Sequence, residues 1–222
     1  MMIEKLLSSG SCRDYVLRTA IALSLPALFL FGCGSKIPAT HYYTLRFPAP
    51  APRADPKTAL VVEIEPFKAT VNLRDDRITY YESPTEFSFY EYHRWSPDPA
   101  TMLTELTRRR LNELDVFAHV RLIPSHEPSD YTLKGHLLNF DELDYEPGGK
   151  ARVTLDLRLV RTSDKKTVWS DRREVTHSIN QTGVAGVVNA LSAASDQLLS
   201  EALPSLAAEV EREFKENPGK PQ

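Results

Sequence analysis

Nine residues, 152–160, constrain the fold of this chain more than any other stretch. Val153, Leu155, Leu157 and Leu159 alternate with Arg152, Thr154, Asp156 and Arg158. A period of two puts the apolar side chains on one face and the charged ones on the other. That is the signature of an antiparallel strand buried on one side only. A helix of the same residues would scatter the four apolar groups around its circumference. Other strands must therefore flank this one, and something apolar must cover its inner face.

The flanking sequence supplies both. Residues 131–140 read as a second long strand, with Gly148-Gly149 as the turn between the two, and 162–165 turn into a third strand over 167–179. Residues 59–65 place Leu60, Val62 and Ile64 on one face of a strand, and 116–122 make a further short one. Residues 41–47 set Tyr42, Thr44 and Arg46 against Tyr43, Leu45 and Phe47. Two more strands, 77–82 and 86–92, meet at Ser83-Pro84-Thr85, and seven aromatics crowd the span from Tyr80 to Trp95. There Phe87 and Phe89 are expected to face the core, with Tyr90 and Tyr92 on the opposite side. Residues 48–56 carry four prolines and are read as a surface loop.

Two helices cover the sheet in this reading. Asp98 as N-cap and Pro99 at the first helical position start one of them. Its Met102, Leu103, Leu106, Leu111 and Leu114 form an apolar arc, and Arg110 falls inside that arc, where it must snorkel or pair. The second spans about 182–214, with Val184, Val188, Leu191, Ser195, Leu198 and Ala202 as its stripe. Pro204 predicts a kink or break there, because it cannot donate to the carbonyl of Ser200. The expected fold class is α+β: a mostly antiparallel sheet with two main helices packed on one face.

The N-terminal region obeys a different rule. Residues 19–32 (TAIALSLPALFLFG) are apolar and run into Leu30-Phe31-Gly32-Cys33. These 14 residues are too few for a hydrocarbon core that needs roughly 20 helical residues. They fit the apolar part of a secretory signal behind Lys5, Arg13 and Arg18. Small Gly32 ahead of Cys33 completes the pattern of a lipoprotein signal, cleaved so that Cys33 becomes the first mature residue. Cys33 is then the lipidation site, with diglyceride on its thiol and palmitate on its amine. Such an anchor holds firmly, since each buried CH₂ contributes about 0.8 kcal/mol. The expected organisation is a lipoprotein signal peptide over 1–32, a lipidated tether over 33–40, one domain over 41–214 and a flexible tail over 215–222. Gly34 stands where an Asp would retain a lipoprotein at the inner membrane. That points to the outer membrane of a Gram-negative cell, with the domain facing the periplasm.

Cleavage leaves 190 residues, enough for one domain with a sizeable core. Without Lys5, Arg13, Arg18, Glu4 and Asp14 the balance is 24 basic to 28 acidic side chains, which gives nucleic acid no electrostatic footing. Cys12 leaves with the signal and Cys33 is acylated, so no disulfide staples the domain.

Catalytic chemistry is sparse. Gly183 and Gly186 lack the Lys of a phosphate-binding loop, and no HExxH, CxxC or nucleophile elbow is present. The histidines at 41, 93, 119, 126, 136 and 177 never fall at i, i+4, so neither metal nor cofactor is expected. Asp141, Glu142 and Asp144 are the densest acidic cluster and read as a solvated strand edge. Trp95 is expected to pack under the first helix. Tyr90 and Tyr92 fit either packing along the sheet or contact with a partner or lipid.

The order of these pieces carries a resemblance. Cys33 with its signal, Tyr42-Tyr43-Thr44-Leu45, the run from Arg77-Ile78 to Tyr92-His93-Arg94-Trp95, and the helix behind it resemble the ABC-type transport auxiliary lipoprotein family. The resemblance extends from about Tyr42 to Phe214 and is most specific between Arg77 and Leu114. It implies a non-enzymatic lipoprotein partner of Pqi- and Mce-type intermembrane lipid transport systems. Such a partner would bind an Mce-domain protein and the ABC transporter subunits, with ATP hydrolysis on another chain and homo-oligomerisation plausible. Two alternatives stay open on the residues alone. One is an assembly lipoprotein supporting an outer-membrane barrel or envelope polymer. The other is a tethered hydrolase, which would need a convergent cluster in a pocket.

Overall fold

A computed structural model describes residues 38–49, 55–125 and 127–216. The signal, Cys33, most of the tether, His126 and the end of the tail lie outside the described residues. The elements are β1 (His41–Tyr43), β2 (Val61–Ile64), β3 (Lys68–Ala69), a 3-10 turn (Val71–Leu73), β4 (Arg77–Ser83) and β5 (Glu86–Trp95). After them come α1 (Pro99–Glu113), β6 (His119–Leu122), β7 (Tyr131–Leu143), β8 (Lys150–Arg161), β9 (Thr167–Ser178) and α2 (Val184–Glu216).

The alternating stretch is β8, and it behaves as its pattern dictates. Val153, Leu155, Leu157 and Leu159 are buried, and the strand pairs antiparallel with β7 on one side and β9 on the other. Gly148 and Gly149 turn β7 into β8 with φ of 78° and 70°, a backbone shape that favours glycine.

On its other edge, β7 collects three short strands. Residues 61–81 run once along it in the same direction, pairing as β2 (Val62 with Tyr131), β3 (Lys68 with His136) and β4 (Thr79 with Asp141). Pro66 and the 3-10 turn interrupt this run, so it breaks into three pieces. Beyond them β6 joins β2, β5 joins β4, and β1 joins β5. The fold is α+β, as the pattern of elements predicts. The long ladders β4–β5, β7–β8 and β8–β9 are antiparallel, while β1–β5, β2–β6 and the β7 contacts of β2, β3 and β4 are parallel.

Both helices contact the sheet and each other. Asp98 Oδ1 accepts the Thr101 N–H at 3.0 Å, and Pro99 opens α1. Met102, Leu103, Leu106 and Leu111 are buried, each worth about 1.5–3 kcal/mol relative to exposure. Thr104 and Thr107 are buried among them because their hydroxyls bond back to the carbonyls of Ala100 and Leu103 at 2.7 and 2.8 Å. Arg110 pairs within the apolar arc: its guanidinium meets Asp196 of α2, with Nε to Oδ1 at 3.1 Å, and Glu113 at 2.7 Å.

Two elements depart from their local pattern. Of the kink or break predicted at Pro204, the break is absent: helix α2 is continuous there. Pro204 and Ser200 are both exposed, so the carbonyl that loses its donor can bond to water. In β5 the phase is inverted: Phe87 is 45% exposed and Phe89 half-buried, while Tyr90 packs against the core. Thr79 pairs with Phe89 and Arg77 with Arg94, so two steps along β4 are matched by five along β5. This bulge resets the alternation that a regular hairpin would have kept.

Candidate functional site

The acidic cluster shows how a bulge redistributes charge. Leu138 is an extra residue between the registered positions Leu137 and Asn139 in β7. Beyond it Phe140 joins the apolar face, and the consecutive Asp141 and Glu142 point to opposite faces. The expectation of a solvated edge holds for exposed Asp144 and fails for the other two, since Asp141 is fully buried and Glu142 is 6% exposed.

Each buried carboxylate has its own partner. Asp141 accepts from Arg152 Nε at 2.9 Å, Arg152 Nη2 at 3.1 Å and Asn139 Nδ2 at 3.3 Å. The same guanidinium lies 5.2 Å over the Tyr81 ring. Burial raises the Asp141 carboxyl above the ordinary aspartate range despite that guanidinium. On the other face, Glu142 Oε2 accepts the Tyr90 hydroxyl at 2.6 Å, and the Tyr80 and Tyr90 rings sit 4.7 Å apart. Burial, and then the bond to Glu142, push the Tyr90 phenol up; burial likewise raises Glu142. A polar cavity of about 300 Å³ adjoins the pair, bounded by Gly149, Asn180, Thr182 and Val187.

Perturbed carboxylates beside a cavity are the usual mark of acid–base chemistry. Here the two carboxylates diverge instead of converging, and each is bound to a side chain of its own sheet. The arrangement stabilises a bulged strand, and it aligns no nucleophile with a base.

The aromatic residues divide similarly. Tyr90 spends its hydroxyl on Glu142, whereas Tyr92 is exposed on the same strand. Trp95 is buried with its ring 5.3 Å from Phe140, edge to face, and Arg94 is tied to Asp76 in the turn before β4. Sequence reading missed one cluster. The rings of His41 and His93 stack at 5.3 Å, and the Tyr43 hydroxyl meets His93 Nδ1 at 2.9 Å. Only the parallel pairing of three-residue β1 with β5 makes these neighbours, and nothing local in the sequence announces it. Among the described residues, no group of His, Cys, Asp or Glu could hold a metal ion.

The model of the ABC-type transport auxiliary lipoprotein component matches residues 43–202, from the end of β1 into α2. The chain belongs to this family. Its fold is similar to that of protein XCC0632 from Xanthomonas campestris, assigned to family DUF330. The TM-score is 0.67 at 23% identity, over 80% of this chain and 99% of that one. A second solved structure, of an uncharacterised protein, gives a TM-score of 0.61 at 13% identity, over 76% and 99% of the two chains. No curated protein sequence matches the chain.

Proposed function

We propose that this chain is a lipid-anchored, non-catalytic component of an Mce- or Pqi-type intermembrane lipid transport system. Cys33 carries the anchor, and the domain sits at the periplasmic face of the outer membrane. There it docks the Mce-domain protein, while a separate ATPase subunit supplies energy.

The family match is the observation that carries this reading, because it spans nearly the whole sheet and most of α2. The apolar run ending at Gly32-Cys33 supports the anchor, and the divergence of Asp141 and Glu142 supports a docking role over a hydrolytic one. No helix among the described residues is long and apolar enough to cross a membrane. Exposed Tyr92, beside Tyr90 on β5, is the proposed partner contact. Self-association is part of the same proposal.

Affinity capture of the tagged full-length chain from detergent-solubilised envelopes tests the reading. Recovery of an Mce-domain protein with a permease and an ATPase is expected. Recovery of an outer-membrane barrel protein in their place would support the alternative, an assembly lipoprotein.

A further inference from the structure

A larger cavity than the one beside Glu142 lies away from the acidic cluster. It is a trough of about 740 Å³ where the strap of residues 44–47 crosses α1. Buried Leu45 and Met102, with Phe47, form its floor, and Leu122, 39% exposed, stands at one wall. Its volume lies in the roughly 300–1,000 Å³ range in which concave apolar sites enclose small ligands.

Its rim is basic. Arg46 is exposed, and no carboxylate among the described residues pairs with its guanidinium. Arg109 reaches Glu105 through Nε at 3.1 Å, but Glu105 also accepts Arg108 at 2.7 and 2.8 Å. The lining thus holds two guanidinium groups, Arg46 and Arg109, against one carboxylate, Glu105, which Arg108 outside the lining also engages. An apolar trough with surplus positive charge at its mouth complements a ligand with an anionic head and an apolar tail.

Peptide recognition fits less well. A strand-adding peptide needs free backbone groups on its host. The strap turns its N–H groups inward: Leu45 N–H meets the Met102 sulfur at 3.2 Å, and Arg46 N–H donates to Ser192 Oγ of α2 at 3.1 Å.

We propose that this trough holds one acyl chain of an anionic glycerophospholipid, with the phosphate held by Arg46 and Arg109. The inference deepens the transport reading and rests on it for the membrane as source of the lipid. It makes the domain itself a lipid-contacting part.

The test places a photoreactive side chain at the rim. Full-length chain carrying Thr44→benzoylphenylalanine is reconstituted in vesicles of phosphatidylethanolamine and phosphatidylglycerol, irradiated, and its adducts are weighed. Thr44 is exposed, so the fold should tolerate the change. A phosphatidylglycerol adduct is expected, and Arg46→Glu in the same background should lower its yield about tenfold, the scale of one lost charge-assisted hydrogen bond. An adduct with a second copy of the chain, an adduct with its own N-terminal lipid, or a yield indifferent to Arg46→Glu would overturn the proposal. As a second measurement, Thr44→Trp should fill the trough and abolish co-purifying phosphatidylglycerol in native mass spectrometry; lipid retained at the wild-type level would also overturn it. Transporter capture without a lipid adduct would sink this inference alone, and an adduct without transporter capture would sink only the transport reading.

Discussion

Two antiparallel hairpins in this molecule, β7–β8 and β4–β5, obey different rules. The first is a long ladder with one interruption at Leu138, and its inner face is continuous with the helical core. The second sets four residues, 90–93, against Ile78 alone near its base and shows Phe87 and Tyr92 to solvent. Burial of one whole face fixes register in the first, because a one-residue slip would turn every leucine of β8 outward. The hairpin β4–β5 lacks that penalty, so its geometry is set by particular pairs: Tyr90 with Glu142, Arg94 with Asp76, and Arg77 4.3 Å over the Phe89 ring. The first region is scaffold held by burial of a whole face, and the second is held by individual side-chain pairs.

The largest effect is expected where the two regions meet. Asp141→Ala strands the half-buried Arg152 without its carboxylate and should cost about 3–5 kcal/mol in urea unfolding. In the scaffold alone, Leu157→Ala leaves a cavity beneath the helices and should cost about 2–5 kcal/mol. Gly135→Ala is smaller: its Cβ would stand 2.4 Å from the Phe67 ring, and displacing that buried ring should cost about 1–3 kcal/mol. Phe87→Ala in the exposed hairpin loses only ring contacts with Tyr81 and Phe89 and should cost about 1 kcal/mol or less. A Phe87 effect as large as that of Leu157 would erase the distinction between the regions.

The smallest test is of acid. Hydrogen bonds from the Arg77 side chain and backbone hold the Asp75 carboxyl at about 2, below its ordinary value. A depressed carboxylate stabilises the fold above its unfolded pKa, and that contribution fades as pH falls through about 4 toward 2. Asp75→Asn should flatten this part of the acid titration of near-UV circular dichroism while leaving the neutral-pH spectrum intact.

How far the sequence could be read follows the same division. Strand β8, the Gly148-Gly149 turn, the Asp98 cap and the α2 stripe were legible because each is a local pattern acting on one element. The parallel docking of β2, β3 and β4 along β7 was not, since it depends on how Pro66 and the turn at 71–73 break one extended run. The phase of Phe87 and Tyr90 was hidden by a bulge that only the finished ladder reveals. Burial of Asp141 was hidden likewise, because its partner Arg152 lies across a hairpin and an acidic run by itself reads as solvated. At the trough, Met102 was read correctly as core, while Arg46 gave no signal as part of a basic rim.

The proposed role requires that the domain be tethered at the envelope. Intact mass analysis of the full-length gene product from the membrane fraction measures this most directly. A mature chain beginning at Cys33, with its mass raised by a diglyceride and a third acyl group, is predicted. A free Cys33 thiol, or a chain still carrying residues 1–32, would contradict the account.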